Sequence, residues 1–170
     1  MSRSTSSLLL LAVLLFFFAL GNHQLQGSTE ARVAGIHSLL GRMSEAAPGE
    51  HTFALYSGGA YALLLHLRDM DRAIAHGVDQ LPPAIRELDV ALLHKLVIEG
   101  IMGLTGELAA TGANVVYSRD GHDAANRVAR GEAAMVLYIN TTRVAHVMQV
   151  ALAGEHMPQK GTYFYPKVLS

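Results

Sequence analysis

Apolar side chains recur every three or four residues in several segments, a spacing typical of one face of an amphipathic helix. The strongest pattern predicts a helix over Leu88 to Met102, ended by Gly103. Val144 to Leu152 shows the same spacing, and Thr141 or Thr142 is predicted to cap that helix. Further helices are predicted over the ranges 31–43, 69–76 and 123–130. The last two of these are each followed by a glycine, which commonly ends a helix.

Between these segments lie short apolar runs rich in aromatic or branched residues, which indicate strands. They are centred near Phe53, Leu64, Val116, Leu137 and Phe164. The first two flank the sequence Ser57-Gly58-Gly59-Ala60, where paired glycines favour a hairpin turn. The order of elements predicts an α/β or α+β fold, with one mixed sheet of about five strands including a hairpin, flanked by helices.

The N-terminal region differs from the rest of the chain. Leu8 to Leu20 is an unbroken run of 13 apolar residues that follows a single positive charge at Arg3. A membrane-spanning helix needs about 20 apolar residues, whereas the core of a signal peptide needs about 7–15. We therefore predict that residues 1–27 form a leader, expected to be an apolar helix without contacts to the domain, and that residues 28–170 form one α/β domain. A gene-model artefact is the alternative origin of the leader.

Composition narrows the range of functions. The formal net charge is -1 and the three lysines are scattered, which disfavours nucleic-acid binding through a cluster of basic residues. The absence of cysteine excludes disulfides and thiolate metal sites. Nine histidines are spread evenly and form no His-Glu-x-x-His motif, so neither a metal site nor a cofactor is predicted.

Several short motifs have ordinary structural explanations. Gly100, Gly103 and Gly106 follow a predicted helix, whereas a phosphate-binding loop would follow a strand. Asp120-Gly121-His122-Asp123 is typical of a turn in which the aspartate caps the next helix. Since no nucleophile is matched to a general base, the sequence contains no complete catalytic constellation, and enzymatic activity stays open.

The segment before the C-terminus carries the candidate binding residues. Lys160, Thr162 and Lys167 combine two cations and a hydroxyl group with a proline-flanked backbone. Such a set can hold a phosphate or carboxylate group. The alternative is an edge strand that its lysines protect against aggregation.

The same segment resembles a known family. Met157-Pro158-Gln159-Lys160-Gly161-Thr162-Tyr163-Phe164-Tyr165-Pro166-Lys167 is similar to the C-terminal signature of the prokaryotic domain-of-unknown-function family numbered 1015. Leu88 to His94, Ile101 to Leu104 and the hairpin near Phe53 are similar to other parts of that family. The resemblance covers roughly residues 31–170. It implies a chain that is truncated relative to the family, lacking its upstream half.

Three functions follow from these observations. The first is a companion domain that binds a small anionic metabolite in the cytoplasm, as the resemblance implies. The second is a non-catalytic interaction or homo-oligomerisation domain. The third is an exported domain, whose only membrane association would be through the leader.

Overall fold

The computed structural model describes residues 18–24, 29–47, 49–59, 61–105 and 115–158. Strands are β1 (Phe18–Gln24), β2 (His51–Tyr56), β3 (Tyr61–Leu67) and β4 (Val136–Ile139). Helices are α1 (Thr29–Ser44), α2 (Met70–Ala75), α3 (Pro83–Arg86), α4 (Asp89–Leu92), α5 (Gly121–Ala129) and α6 (Val144–Leu152). A 3₁₀-helix spans Val78–Gln80, and a π-helix spans Leu93–Ile101 directly after α4.

The four described strands form one sheet in the order β1-β3-β2-β4, and every pairing is antiparallel. Strands β2 and β3 form the predicted hairpin, in which Phe53 faces Leu65 and Leu55 faces Leu63. Gly58 and Gly59 have φ angles of 81° and 93°, which the absence of a β-carbon permits. The hairpin prediction is therefore confirmed.

Both faces of the sheet are covered, because β2 is buried along its whole length. Successive side chains of a strand point to opposite faces. Phe53 and Leu55 accordingly pack with the π-helix, whereas Ala54 and Tyr56 pack with α1 and α5. The result is a three-layer arrangement of helices, antiparallel sheet and helices. A mixed α and β fold around one sheet is thus confirmed.

Asp89–Ile101, here called the central helix, begins as α4 and continues as the π-helix. The amide of Met102 bonds to the carbonyl of Val97 at 2.9 Å, five residues earlier, as a π-helix requires. Leu92, Leu96 and Val97 are buried, as the sequence pattern predicts. Gly103 follows in a left-handed conformation with φ of 69°. The predicted helix is present, but part of it has wider turns than an α-helix.

The sheet corrects part of the strand prediction. Residues 115–118 form no strand, so the strand near Val116 is wrong for the described part of that segment. The strand predicted near Leu137 is present as β4, a short edge strand of the described sheet. The sheet is antiparallel throughout its described strands instead of mixed. The strand near Phe164 lies outside the described residues, so five strands are not confirmed.

The predicted leader also differs from the structure at its C-terminal end. Phe18–Gln24, which falls within the range 1–27, is strand β1 and pairs with β3. The expected helix is therefore wrong for 18–20, and this part of the range does contact the domain. Residues 1–17 and 25–28 lie outside the described residues, so a signal peptide remains a prediction.

Candidate functional site: a cleft at the edge of the sheet

A cleft of about 1420 Å³ lies along the edge strand β4. Its walls come from the start of β2, the central helix, residues 115–121, β4 and the residues that lead into α6. Apolar side chains such as Leu93 and Ile98 line it together with histidine, tyrosine, aspartate and arginine side chains. Apolar walls with a few convergent polar groups are typical of small-molecule sites.

The first polar pair in the cleft joins β2 to the central helix. His51, the first residue of β2, is only 6% exposed, and its Nδ1 lies 2.7 Å from Oδ1 of Asp89. Asp89 is the first residue of the central helix, where the helix dipole favours a negative charge. A carboxylate can only accept hydrogen bonds, so Nδ1 of His51 donates the proton of this bond.

A second polar pair lies one helical turn further along. His94, in the π-helix, has its Nε2 2.7 Å from the hydroxyl oxygen of Tyr117. The two rings are stacked, with centroids 5.8 Å apart and an interplanar angle of 7°. Burial lowers the pKa of His94, against a smaller opposing effect of the Glu99 carboxylate. Burial also raises the pKa of Tyr117, so both rings of the pair are kept neutral.

The third part of the wall is the start of α5. Asp120 caps this helix, since its Oδ1 accepts hydrogen bonds from the amides of His122 and Asp123 at 2.8 and 3.1 Å. These two bonds lower the pKa of the Asp120 carboxyl group. The predicted turn chemistry at residues 120–123 is confirmed. The hydroxyl group of Tyr138 in β4 donates to the Gly121 carbonyl at 2.9 Å, which ties α5 to the sheet.

Two histidines meet behind this turn. Nε2 of His122 lies 2.9 Å from Nε2 of His37 in α1, and the ring centroids are 4.4 Å apart. Only one of the two nitrogens can carry the proton of such a bond. Nδ1 of His122 is buried without a hydrogen-bond partner in the described part of the chain. This pair fastens α5 to α1 beside the cleft.

The fourth part of the wall is the N-terminus of α6. The N-cap residue is Arg143, and no side chain caps the helix. The prediction that Thr141 or Thr142 provides the cap is therefore wrong. Because the first amides of a helix lack intrahelical acceptors, this end offers hydrogen-bond donors beside the guanidinium group of Arg143. Arg143 has no ion-pair partner among the described residues.

Acidic residues also line the cleft, but protein groups already engage most of them. The wall contains five acidic residues: Glu50, Glu87, Asp89, Asp120 and Glu132. Glu50 accepts a hydrogen bond from the amide of Ala47, and Glu132 is paired with Arg130. Asp89 and Asp120 have the partners given above, so four of these five carboxylates are occupied.

Lys160, Thr162 and Lys167, the binding residues predicted from the sequence, lie outside the described residues. The structure instead brings together His51, Asp89, His94 and Tyr117, none of which the sequence marked as site residues. Only one signal pointed this way, namely that Asp89 opens the strongest helical pattern. His51 and Asp89 are separated by 38 residues, a spacing that no local motif requires.

The described residues contain no group of three or more histidine, cysteine or acidic side chains placed to hold a metal ion. None of their helices has both the length and the apolar character needed to cross a membrane. Comparison with protein-family models, with curated proteins and with solved structures produced no match to this chain.

Proposed function

We propose that this chain is a binding domain for a small anionic metabolite, which is held in the cleft beside β4. The observation that carries the proposal is the guanidinium group of Arg143, which has no ion-pair partner among the described residues. It lies at the start of α6, where no side chain caps the helix, in a cleft that also contains two histidine-centred polar pairs. A carboxylate or phosphate group beside Arg143 would accept hydrogen bonds from both the guanidinium group and the helix amides.

The distribution of charge supports an anion over a cation. The acidic residues of the wall outnumber its arginines, which are Arg119, Arg127 and Arg143. However, four of the five carboxylates are engaged by protein donors, so they offer little to a cationic ligand. Arg127 is paired with Asp123 at 3.1 Å, and Arg119 also has an interaction partner, which leaves Arg143 as the better anchor for an anion.

The volume of the cleft also supports a small metabolite as the ligand. Small-molecule sites commonly measure roughly 300–1000 Å³. The cleft is larger than this range, so a small ligand would occupy part of it and water the remainder. Water-mediated contacts are common in such sites and are compatible with specific binding.

The proposal extends to the C-terminal segment. Lys160, Thr162 and Lys167, with a fifth strand near Phe164, would add a second anion-binding element. Membership of the family numbered 1015 would fit this arrangement. What supports both is the similarity of residues 157–167 to the family signature.

The test is calorimetric titration of the full chain with inorganic phosphate and with succinate. We expect Arg143→Gln to weaken binding of both anions by about tenfold, corresponding to one charged hydrogen bond of roughly 1.5 kcal/mol. Arg42→Gln is the matched control, because Arg42 is an exposed arginine of α1 outside the cleft. Equal affinity of the Arg143 variant and the wild type would contradict the proposed anchor, and absence of binding to either anion would contradict the function.

A homo-oligomerisation domain is the second candidate, and the surface of α6 favours it. Val144, Met148 and Leu152 are spaced four residues apart on this helix and are 68%, 59% and 85% exposed. Val150 faces the other way and packs with Ile85 and Val90. We expect sedimentation velocity to show association of the wild type that Met148→Glu abolishes. A monomeric wild type at high concentration would remove this candidate.

A further inference from the structure

The His51–Asp89 pair leaves one nitrogen of the imidazole ring unused. The proton of the 2.7 Å bond lies on Nδ1, because the Asp89 carboxylate is an acceptor. In a neutral imidazole the other nitrogen, Nε2, then carries a lone pair. Asp89 therefore does more than bridge two elements, since it selects which nitrogen of His51 can accept a hydrogen bond.

Nε2 of His51 is available for a hydrogen bond with a ligand. It has no hydrogen-bond partner in the part of the chain that the structure describes. Among the described residues, the buried side-chain polar atoms without a hydrogen-bond partner are the Tyr56 hydroxyl oxygen and Nδ1 of His122. Nε2 of His51 does not belong to this group, so it is not fully buried. Since His51 lines the cleft, its exposed edge is accessible from the cleft.

We infer that Nε2 of His51 accepts a hydrogen bond from a hydroxyl group of the ligand, so that the ligand class is a hydroxylated carboxylate or phosphate. This inference rests on the proposed anion-binding function and specifies its substrate class. A hydroxyl group suits the position better than an ammonium group, because His51 is almost buried and a buried charge costs far more than a buried hydroxyl.

The arrangement predicts selectivity. When the ligand lacks the hydroxyl group, Nε2 of His51 loses this hydrogen bond, and the analogue binds more weakly as a result. One hydrogen bond of this kind corresponds to a preference of about tenfold. The preference for the hydroxylated ligand should depend on Asp89. In Asp89→Asn the side-chain amide can donate to Nδ1, which moves the imidazole proton to Nε2.

The experiment compares matched pairs of anions by calorimetric titration at about pH 8. The pairs are malate with succinate and glycerol 3-phosphate with propyl phosphate. We expect the full chain to bind the hydroxylated member of at least one pair about tenfold more tightly. Asp89→Asn and His51→Gln should abolish the preference while retaining binding of the anion, whereas His156→Gln, an exposed site outside the cleft, should change nothing.

The outcomes separate the two proposals. Equal binding of both members of each pair by the wild type would overturn the hydroxyl inference and leave the anion-binding function intact. Absence of binding to all four compounds would overturn both. Should the variants fail to fold, nitrogen-15 NMR of the wild-type chain reports the tautomer of His51 directly, and a proton on Nε2 instead of Nδ1 would overturn the inference.

Discussion

Two neighbouring tyrosines make a sharp test of the packing behind the cleft. Tyr56 and Tyr138 are 1% and 7% exposed and belong to the same buried cluster, yet their hydroxyl groups are in different situations. The Tyr138 hydroxyl donates to the Gly121 carbonyl at 2.9 Å, whereas the Tyr56 hydroxyl has no partner in the described chain. The same substitution, tyrosine to phenylalanine, should therefore have opposite effects at the two positions.

The magnitudes follow from the cost of hydrogen bonding in a buried site. Tyr138→Phe removes one bond and should lower the free energy of unfolding by about 1 kcal/mol. Tyr56→Phe removes a buried hydroxyl that gains nothing from folding, so it should be neutral or stabilising by up to about 1 kcal/mol. The two variants should thus differ by roughly 1–2 kcal/mol in urea unfolding, with equal slopes.

Alkaline pH adds a second measurement. Burial, with a smaller contribution from nearby Tyr56, raises the pKa of Tyr138 from 10.0 to about 12. Because the folded value lies above the unfolded value, the unfolded state loses this proton first. The contribution of the Tyr138 hydroxyl proton to stability is therefore fully present below about pH 10. It is lost as pH rises towards 12, and the free energy of unfolding then falls by at most about 1.4 kcal/mol per pH unit.

Tyr138→Phe has no hydroxyl proton to lose, so its stability should lack this dependence on pH. The stability difference between wild type and variant should therefore shrink as pH rises from about 10 to 12. The reasoning would be refuted if Tyr138→Phe were as stable as the wild type at neutral pH. It would equally be refuted if Tyr56→Phe were the more damaging change.

Three further results are expected. Since burial lowers the folded pKa of His94, stability should fall as pH drops below its ordinary value of 6.5, and His94→Gln should flatten urea midpoints measured between about pH 7 and pH 5. Leu55→Ala, at a residue 1% exposed, should lower the free energy of unfolding by about 2–5 kcal/mol in urea; a loss below 1 kcal/mol would contradict its central position. In thermal melts Gly59→Ala should destabilise by about 1 kcal/mol because its φ is 93°, whereas Gly41→Ala, in helix α1 with no atom near the added carbon, should stabilise by a similar amount.

The helices were the most predictable part of the fold, because the spacing of apolar residues and the glycines that follow them are local signals. Val144–Leu152 and Gly121–Ala129 lie within about two residues of their predicted ranges, and the glycines that end them adopt positive φ angles. The cap of α5 was also predictable, since Asp120 acts on its own helix. In all these cases the interactions that decide the structure are local.

Strands were less predictable because their partners are distant. The pattern near Val116 resembles a strand, but Val116 is 67% exposed and none of the described strands pairs with it. Conversely, β1 begins inside the apolar run 8–20 that suggested a leader helix, and its strand conformation depends on hydrogen bonds to β3. The wider turns of the central helix likewise have no marker in its spacing of apolar residues, which suits an α-helix equally well.

The sequence did not predict the candidate site, for a related reason. Its polar contacts join residues separated by 38 positions (His51 and Asp89) and by 23 positions (Tyr117 and His94). No local pattern selects these histidines from the nine in the chain. The sequence analysis instead favoured the local cluster at Lys160, Thr162 and Lys167, whose contribution stays a prediction.

These long-range contacts would couple the proposed ligand binding to global stability. No single element forms the cleft. Its polar groups converge only when β2, the central helix, α5, β4 and the start of α6 are all folded. An unfolded chain therefore offers no equivalent site. A ligand that binds only the folded chain stabilises it by about 2.7 kcal/mol at a concentration one hundred times its dissociation constant. Local loosening of one wall, by loss of the Tyr138 bond to Gly121 for example, would weaken binding even though Tyr138 need not touch the ligand.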